Sequence, residues 1–219
     1  MSFSDYLKMP VSFRKIYSSY KEKKFLMLDV GCGNHSATVA KKYFPECQYY
    51  GLDKDIYNND DHDFNLMTKF YKLDLENNSL DIIPDNFFDV VIMNHVIEHI
   101  NNGVEVVENI SKKIKSSGII YIETPSVRSL SLPSQPGTLN FCDDETHKKL
   151  YNIIDIANVL LRNNFKIIKA GTRRDKVGMF FSPYFILKKI IKKEGLSGFS
   201  VWDITGFAWF IYAKKLNNN

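Results

Sequence analysis

The segment that most constrains the fold is an apolar run, Phe25–Val30, that leads directly into Gly31-Cys32-Gly33. A short apolar run followed by glycines is typical of a buried strand that ends in a tight turn. Two glycines at such a turn allow the backbone to approach a ligand closely, because neither carries a Cβ atom. Open parallel sheets bind their ligands at the carboxyl ends of strands. The glycine turn therefore predicts a nucleoside-binding site at the carboxyl end of a first strand.

Strand-like and helix-like segments alternate along the rest of the chain. Further strands are predicted over residues 48–52, 70–73, 87–93, 118–123, 165–170 and 207–213, and helices over 36–44, 102–115 and 146–163. This alternation is typical of an α/β fold, which we expect to be Rossmann-like: a mostly parallel seven-stranded sheet with helices on both faces and an antiparallel last strand.

The length of 219 residues and the hydrophobic fraction of 44% suit a single domain spanning residues 1–219. Within it we expect an N-terminal helical cap over 1–24, a cofactor-binding core over 25–171 and a C-terminal closing element or acceptor lid over 172–219. Residues 124–145 contain three prolines and a glycine, and are expected to form a long loop.

Composition narrows the class of protein. Three cysteines without a CxxC pair indicate reduced thiols, and no apolar run resembles a signal peptide or a membrane span, so we expect a cytoplasmic location. The net charge of +4 is small, so we do not expect a nucleic-acid partner. Oligomeric state is not predicted.

Acidic residues follow the predicted strands at the edge where the glycines lie. Asp53 ends the second strand about 20 residues after the glycines, where an acid can accept hydrogen bonds from ribose hydroxyls. Asp74 ends the third strand and suits the adenine amino group, while Asp29 can orient the glycine turn or meet an ammonium group. Ser36 occupies the position where a dinucleotide site has its last glycine, so a cofactor without a pyrophosphate is favoured. Ordinary turn carboxylates are the alternative for Asp53 and Asp74.

These motifs resemble those of class I S-adenosylmethionine-dependent methyltransferases. Leu28–Gly33 resembles their first motif, and Gly51–Asp53 resembles their second. Leu73–Leu75 resembles the motif that carries the adenine-side acid. Phe88–Ile100 is similar to the fourth-strand motif of the ubiquinone-biosynthesis-like branch (methyltransferase type 11/23 domain). The resemblance spans roughly residues 25–171. It implies S-adenosylmethionine as cofactor, with S-adenosylhomocysteine as product. The cofactor-binding residues that it implies are Asp29, Gly31, Cys32, Gly33, Asp53, Lys54, Asp74, Leu75, Asn94 and His95.

One position departs from the family pattern. His35 stands where a third glycine is usual, two positions after Gly33. We expect its imidazole either to crowd the methionine end of the cofactor or to contact the substrate.

His95, Glu98 and His99 are spaced i, i+3 and i+4, which would place them on one face of a helix. The pattern also matches the HxxEH peptidase motif, but that assignment is rejected because the segment follows the fourth strand of a nucleotide-type sheet. Three interpretations remain. The segment lines the cofactor pocket structurally; or a histidine is a general base, His147 first and His95 second; or His95, Glu98, His99 and His147 hold a divalent metal.

The expected activity is methyl transfer to a small-molecule or saccharide acceptor, on oxygen. The alternatives are a metal-dependent RNA 2′-O-methyltransferase and a non-catalytic S-adenosylmethionine-binding partner subunit. Residues 179–193 combine aromatic residues with lysines, which suits peripheral contact with a membrane surface; a helix that closes the sheet is the alternative.

Overall fold

A computed structural model describes residues 3–135, 137–191 and 201–217. Its centre is a seven-stranded sheet with the strand order β3-β2-β1-β4-β5-β7-β6. The strands are β1 Phe25–Val30, β2 Cys47–Asp53, β3 Lys69–Lys72, β4 Phe88–Asn94, β5 Ile114–Pro125, β6 Phe165–Thr172 and β7 Ala208–Lys215.

Strands β1 to β5 pair in parallel, whereas β7 runs antiparallel to both β5 and β6. The Rossmann-like sheet with an antiparallel last strand, expected from the sequence, is therefore confirmed. The chain winds outward from β1 to β2 and β3, then returns to place β4 on the other side of β1. This reversal opens a crevice at the carboxyl ends of β1 and β4, where such sheets bind ligands.

Helices cover both faces of the sheet. They are α1 Phe3–Lys8, α2 Val11–Tyr20, α3 Ser36–Tyr43, α4 Asp61–Leu66, α5 Gly103–Lys112, α6 Ile153–Arg162, α7 Lys176–Ile191 and α8 Trp202–Thr205. One apolar core joins alternate strand residues to α5 and α6, and a second joins the opposite strand faces to α2 and α3. Helices α1 and α2 form the expected N-terminal cap.

Several element boundaries differ from the sequence prediction. The helix expected over 146–163 begins only at Ile153, because the side chain of Asn152 caps it by accepting a hydrogen bond from Ile154 N (2.9 Å). The expected loop at 124–145 contains the end of β5 and two short 3₁₀ turns, Val127–Ser131 and Phe141–Asp143. Helix α4, which was not predicted, begins at a reciprocal capping box between Asp60 and Asp63.

Helix α7 carries apolar side chains that are more than half exposed, at Phe180, Tyr184, Leu187 and Ile191. In the described ranges, no helix has the combined length and apolarity that crossing a membrane requires. The predicted segment 179–193 extends beyond α7, and its last two residues lie outside the described residues.

Candidate active site

The glycine turn after β1 leaves no room for side chains. Gly31 has a φ of 77°, and a Cβ atom there would lie 2.4 Å from Val96 Cγ2. A Cβ atom on Gly33 would lie 2.8 Å from the carbonyl oxygen of Tyr57. Between them, the side chain of Cys32 is fully buried, so Cys32 offers the crevice its backbone only. Both glycines are therefore required by the close approach of neighbouring chain segments.

The loop that follows β2 holds this turn in place through neutral hydrogen bonds. Asn34 N donates to Tyr57 O (3.0 Å), and His35 N donates to Asn59 Oδ1 (3.1 Å). Asn59 Nδ2 in turn donates to Cys32 O (3.1 Å). Sequence reasoning missed Tyr57 and Asn59; the asparagine pair at 58–59, soon after the second strand, was the available signal.

His35 serves the fold of this turn. Its φ of 58° lies in the left-handed region that a glycine adopts easily, which explains why a glycine fits the same position. Its imidazole Nδ1 lies 2.6 Å from Oδ2 of Asp63, a carboxylate without solvent exposure. Burial acts to raise the pKa of Asp63, but hydrogen bonds from Thr38, the Asp60 amide and His35 lower it to about 2. The imidazole thus pairs with α4 through one ring nitrogen, while its expected contact with cofactor or substrate stays a prediction.

The two predicted strand-end acids have different surroundings. Asp53 is partly buried at the end of β2, burial raises its pKa, and its hydrogen bond from Asp55 N is long at 3.3 Å. Asp74 closes its own turn, because its oxygens accept from Glu76 N (2.9 Å) and Asn77 Nδ2 (2.7 Å), and these bonds lower its pKa. Asp53 therefore keeps more capacity to accept hydrogen bonds from a ligand than Asp74 does.

The remaining predicted residues beyond β2 and β3 contribute differently. Lys54 is exposed beside Asp53. Leu75 is partly buried and packs against the core on the α5 side. Both lie next to an acid at a strand end, so both flank the same edge of the crevice.

Two buried polar groups lie deeper, on β1 and β4. The Asp29 carboxylate accepts a hydrogen bond from Tyr49 OH (2.6 Å), and burial raises its pKa to about 7. Asn94 Nδ2 donates to Ser12 Oγ of α2 (3.2 Å), while its buried Oδ1 has no hydrogen-bond partner among the described residues. Asn94 follows Met93, the sheet neighbour of Val30, so this vacant acceptor lies near Gly31. An ammonium group, such as that of S-adenosylmethionine, fits it.

His95 lies at the centre of a charged network after β4. Its Nδ1 lies 3.1 Å from Glu98 Oε1, and its Nε2 lies 3.2 Å from Glu123 Oε1. Burial acts to lower the pKa of His95, but the hydrogen bonds to Glu123 and Glu98 raise it to about 9. His95 is therefore an imidazolium at neutral pH, with both ring nitrogens engaged. Such a ring is poorly suited to accept a proton.

The network continues into the C-terminal part of the chain, where a closing element or acceptor lid was expected from the sequence. Arg173 Nε lies 3.3 Å from Glu123 Oε1, and Arg173 Nη2 lies 3.2 Å from Asp203 Oδ2. The rings of Trp202 and Phe207 lie beside the His95 imidazole, with centroids 4.8 and 6.2 Å away. These contacts close the crevice on the side of His95, although nothing in the sequence spacing of Arg173, Trp202 and Asp203 indicates them.

A second histidine cluster adjoins the network. Glu98, His99 and His147 offer ligand atoms that lie within 4.8 Å of one another. Their imidazole rings are 4.9 Å apart, and His147 Nδ1 lies 2.6 Å from Phe141 O. The structure therefore joins three of the four predicted metal-ligand candidates, while His95 contacts Glu98 but is not in this group.

The family follows from comparison with known proteins. Residues 14–170, more than two thirds of the chain, match the model of a family described as a methyltransferase domain. The chain belongs to this methyltransferase family. The methyltransferase uses S-adenosylmethionine as its methyl donor. Membership of the ubiquinone-biosynthesis-like branch stays a prediction. A search of curated proteins found no match to the sequence.

Solved structures share the fold. A S-adenosylmethionine-dependent methyltransferase from Archaeoglobus fulgidus is 20% identical, with 96% of this chain and 94% of that chain covered and a TM-score of 0.61. One from Mesorhizobium loti is 11% identical, with 95% and 100% covered and a TM-score of 0.63. Haemonchus contortus phosphoethanolamine N-methyltransferase 2, in complex with S-adenosylmethionine, is 16% identical, with 94% of this chain and 52% of that chain covered and a TM-score of 0.67.

Proposed function

We propose that the methyltransferase methylates an oxygen atom of a small molecule or sugar in the cytoplasm, with His147 as general base. The observation that carries this proposal is the contact of His147 Nδ1 with the carbonyl oxygen of Phe141, at 2.6 Å. A carbonyl oxygen only accepts hydrogen bonds, so Nδ1 carries a hydrogen, and in the neutral ring Nε2 keeps its lone pair, 3.8 Å from Asp144 Oδ2. In that neutral form the histidine is able to accept a proton at Nε2. The side of the crevice lined by His95 and His147 is thus the proposed acceptor side.

A base serves a hydroxyl acceptor in particular, because the hydroxyl must lose its proton as its oxygen attacks. Bound S-adenosylmethionine supplies a methyl carbon on a positively charged sulfur. His95 does not take the proton, since Glu98 and Glu123 occupy both of its nitrogens. Its charge instead holds these two carboxylates in place, which makes His95 a positioning residue.

On the donor side, each predicted residue receives a proposed role. The backbone of Gly31, Cys32 and Gly33 approaches the methionine part, and Asn94 Oδ1 accepts from its ammonium group. Asp29, on β1, orients the glycine turn. Asp53 accepts from the ribose hydroxyls, and Lys54, Asp74 and Leu75 flank the adenine.

The His147→Asn variant tests the base. Asparagine retains a donor for the Phe141 carbonyl but lacks Nε2. Turnover with labelled S-adenosylmethionine, screened against sugars and hydroxyl-bearing metabolites, should fall about 100-fold, the scale of general-base catalysis. S-adenosylmethionine affinity should not change. His62→Asn, at an exposed position on α4, is the control. Equal turnover in the His147 variant would remove His147 from the mechanism; donor binding without methyl transfer to any hydroxyl would favour a partner subunit.

One observation favours a second candidate, a metal-dependent transfer. Thr146 Oγ1 donates to Asp144 Oδ1, so it accepts from His99 Nδ1 (2.9 Å), and the Nε2 atoms of His99 and His147 both remain as ligands. Against it, both oxygens of Glu98 are already engaged by His95 and Thr124. Metal analysis of the protein before and after EDTA treatment distinguishes the two candidates. Full activity of the metal-free protein supports His147 as general base. A stoichiometric metal that EDTA removes together with the activity supports the metal-dependent transfer. Salt-dependent RNA binding would then favour an RNA substrate.

Peripheral membrane contact is proposed for residues 179–193. Its support is the exposed apolar set on α7, Phe180, Tyr184, Leu187 and Ile191, beside lysines in the sequence. Co-sedimentation with anionic liposomes should decrease when Leu187 and Ile191 are replaced by Ser. Absence of sedimentation of the unmodified protein would contradict the contact.

A further inference from the structure

A cavity of about 380 Å³ lies between the ends of β5 and β6 and the starts of α6 and β7. None of its lining residues is assigned above to the methyl donor. Its lining includes the polar residues Ser126, Arg128, Asn152, Thr172 and Arg174. Its volume falls in the range of small-molecule sites.

Two arginines converge at this cavity. A Cβ atom placed on Gly206 would lie 3.5 Å from Arg174 Nη2 and 3.6 Å from Arg128 Cδ, so both side chains reach the same glycine. Arg174 Nη1 is fixed by the carbonyl oxygen of Ile204 (3.1 Å). Among the described residues, neither arginine forms an ion pair with an acid, in contrast to Arg14 and Arg173. Both arginines therefore bring a positive charge to the same cavity, and an anion bound there is attracted to both.

The other walls are held in position. Ser126 Oγ donates to Gly206 O (2.9 Å), which fixes the glycine beneath the arginines. Trp209 Nε1 donates to Tyr151 O (3.0 Å), which fixes the aromatic side of the cavity. Asn152 caps the ten-residue helix α6 at the cavity wall, and the positive end of that helix adds to the attraction for an anion.

We propose that this pocket binds the oxyanion group, a phosphate or carboxylate, of a small molecule. Paired guanidinium groups match the planar or tetrahedral oxygens of these groups bidentately. The residue after Gly206 is Phe207, whose ring lies beside His95, so the pocket adjoins the acceptor side of the crevice. A concave site with two cations suits a small anion better than a polyanion, which needs an extended basic surface.

Calorimetric titration with inorganic phosphate and, separately, with citrate tests the proposal and distinguishes the two oxyanions. Binding of either one by the unmodified protein is expected, and Arg128→Gln and Arg174→Gln should each weaken it about tenfold, the loss of one charge-assisted hydrogen bond. Arg162→Gln, an exposed arginine at the other end of α6, should bind like the unmodified protein.

Two results would overturn the pocket: no binding of either anion, or equal binding in an Arg128→Gln/Arg174→Gln double variant. S-adenosylmethionine affinity is measured on the same samples and should be equal in all of them. Because the donor site is tested separately, failure of the anion pocket leaves the proposed methyl transfer intact, and the reverse also holds.

Discussion

The two sides of the crevice are built from different interactions. On the donor side, glycines and backbone groups are fixed by neutral hydrogen bonds from Asn34 and Asn59, and Asp29 has a pKa near 7. On the acceptor side, charged groups alternate from Glu98 through His95 to Glu123. The difference teaches that backbone packing shapes one side of the crevice, whereas ion pairs between distant segments shape the other.

The largest effect is expected from Gly31→Ala on the donor side. Its Cβ would lie 2.4 Å from Val96 Cγ2 at a φ of 77°, so the turn must move. S-adenosylmethionine affinity should fall by about 100-fold, with a loss of stability of roughly 1–3 kcal/mol. Calorimetric titration and thermal melting measure the two effects.

Gly171→Ala is the matched control for Gly31, because its φ is also positive, at 149°, but nothing lies within 4 Å of the added Cβ. The Gly171→Ala variant should lose some stability, and its affinity for S-adenosylmethionine should not change. If Gly31→Ala binds the donor as well as the control does, the donor side does not depend on backbone shape.

The next effect separates the two strand-end acids. Asp53→Asn should weaken S-adenosylmethionine binding by about tenfold, because a charged acceptor of ribose hydrogen bonds is lost. Asp74→Asn should weaken it less, since Asp74 is engaged in its own turn. Asp55→Asn, an exposed acid nearby, is the control. An equal loss at Asp53 and Asp74 would contradict the unequal roles.

His95→Gln tests the ionic character of the acceptor side. Loss of the imidazolium leaves Glu98 and Glu123 without a shared cation, which should cost about 2–4 kcal/mol at pH 6. The folded-state pKa of His95 is raised to about 9, so its contribution is fully present below about pH 6.5 and is lost as the pH rises through about 9. Chemical unfolding across this range should show a smaller difference at pH 9.5. A pH-independent difference would indicate a packing role only.

The last effect, expected from Asp29→Asn, is a gain in stability. The folded-state pKa of Asp29 is raised to about 7, so the acid costs stability as the pH rises from about 4 through 7. The variant should therefore melt higher than the unmodified protein at pH 8 and equally at pH 4. Asp61→Asn, exposed on α4, should show no such difference. A lower melting temperature at pH 8 would mean that the charged carboxylate stabilises the fold.

The sheet could be predicted from the sequence, because apolar runs are local signals. The assignment of Gly31 and Asp53 to the donor side rests on equally local strand-end signals and stays a prediction. The charged contacts of the C-terminal part could not be predicted. Arg173 and Asp203 reach the end of β5 only through the antiparallel pairing of β7, and no local pattern specifies that neighbour. The pairing of His35 with Asp63 could not be predicted either, because it depends on α4, a short helix set by its cap.

Strand β7 lies between β5 and β6, although it is the last of the three in the chain. During synthesis, β6 emerges from the ribosome about 40 residues before the strand that joins it to the sheet, an interval of roughly seconds. Throughout that interval the edge of β5 is open to pairing with another chain. Shortening the protein before Ala208 would make this condition permanent, so aggregation during expression, rather than a loss of activity, should be the first sign of a truncated product.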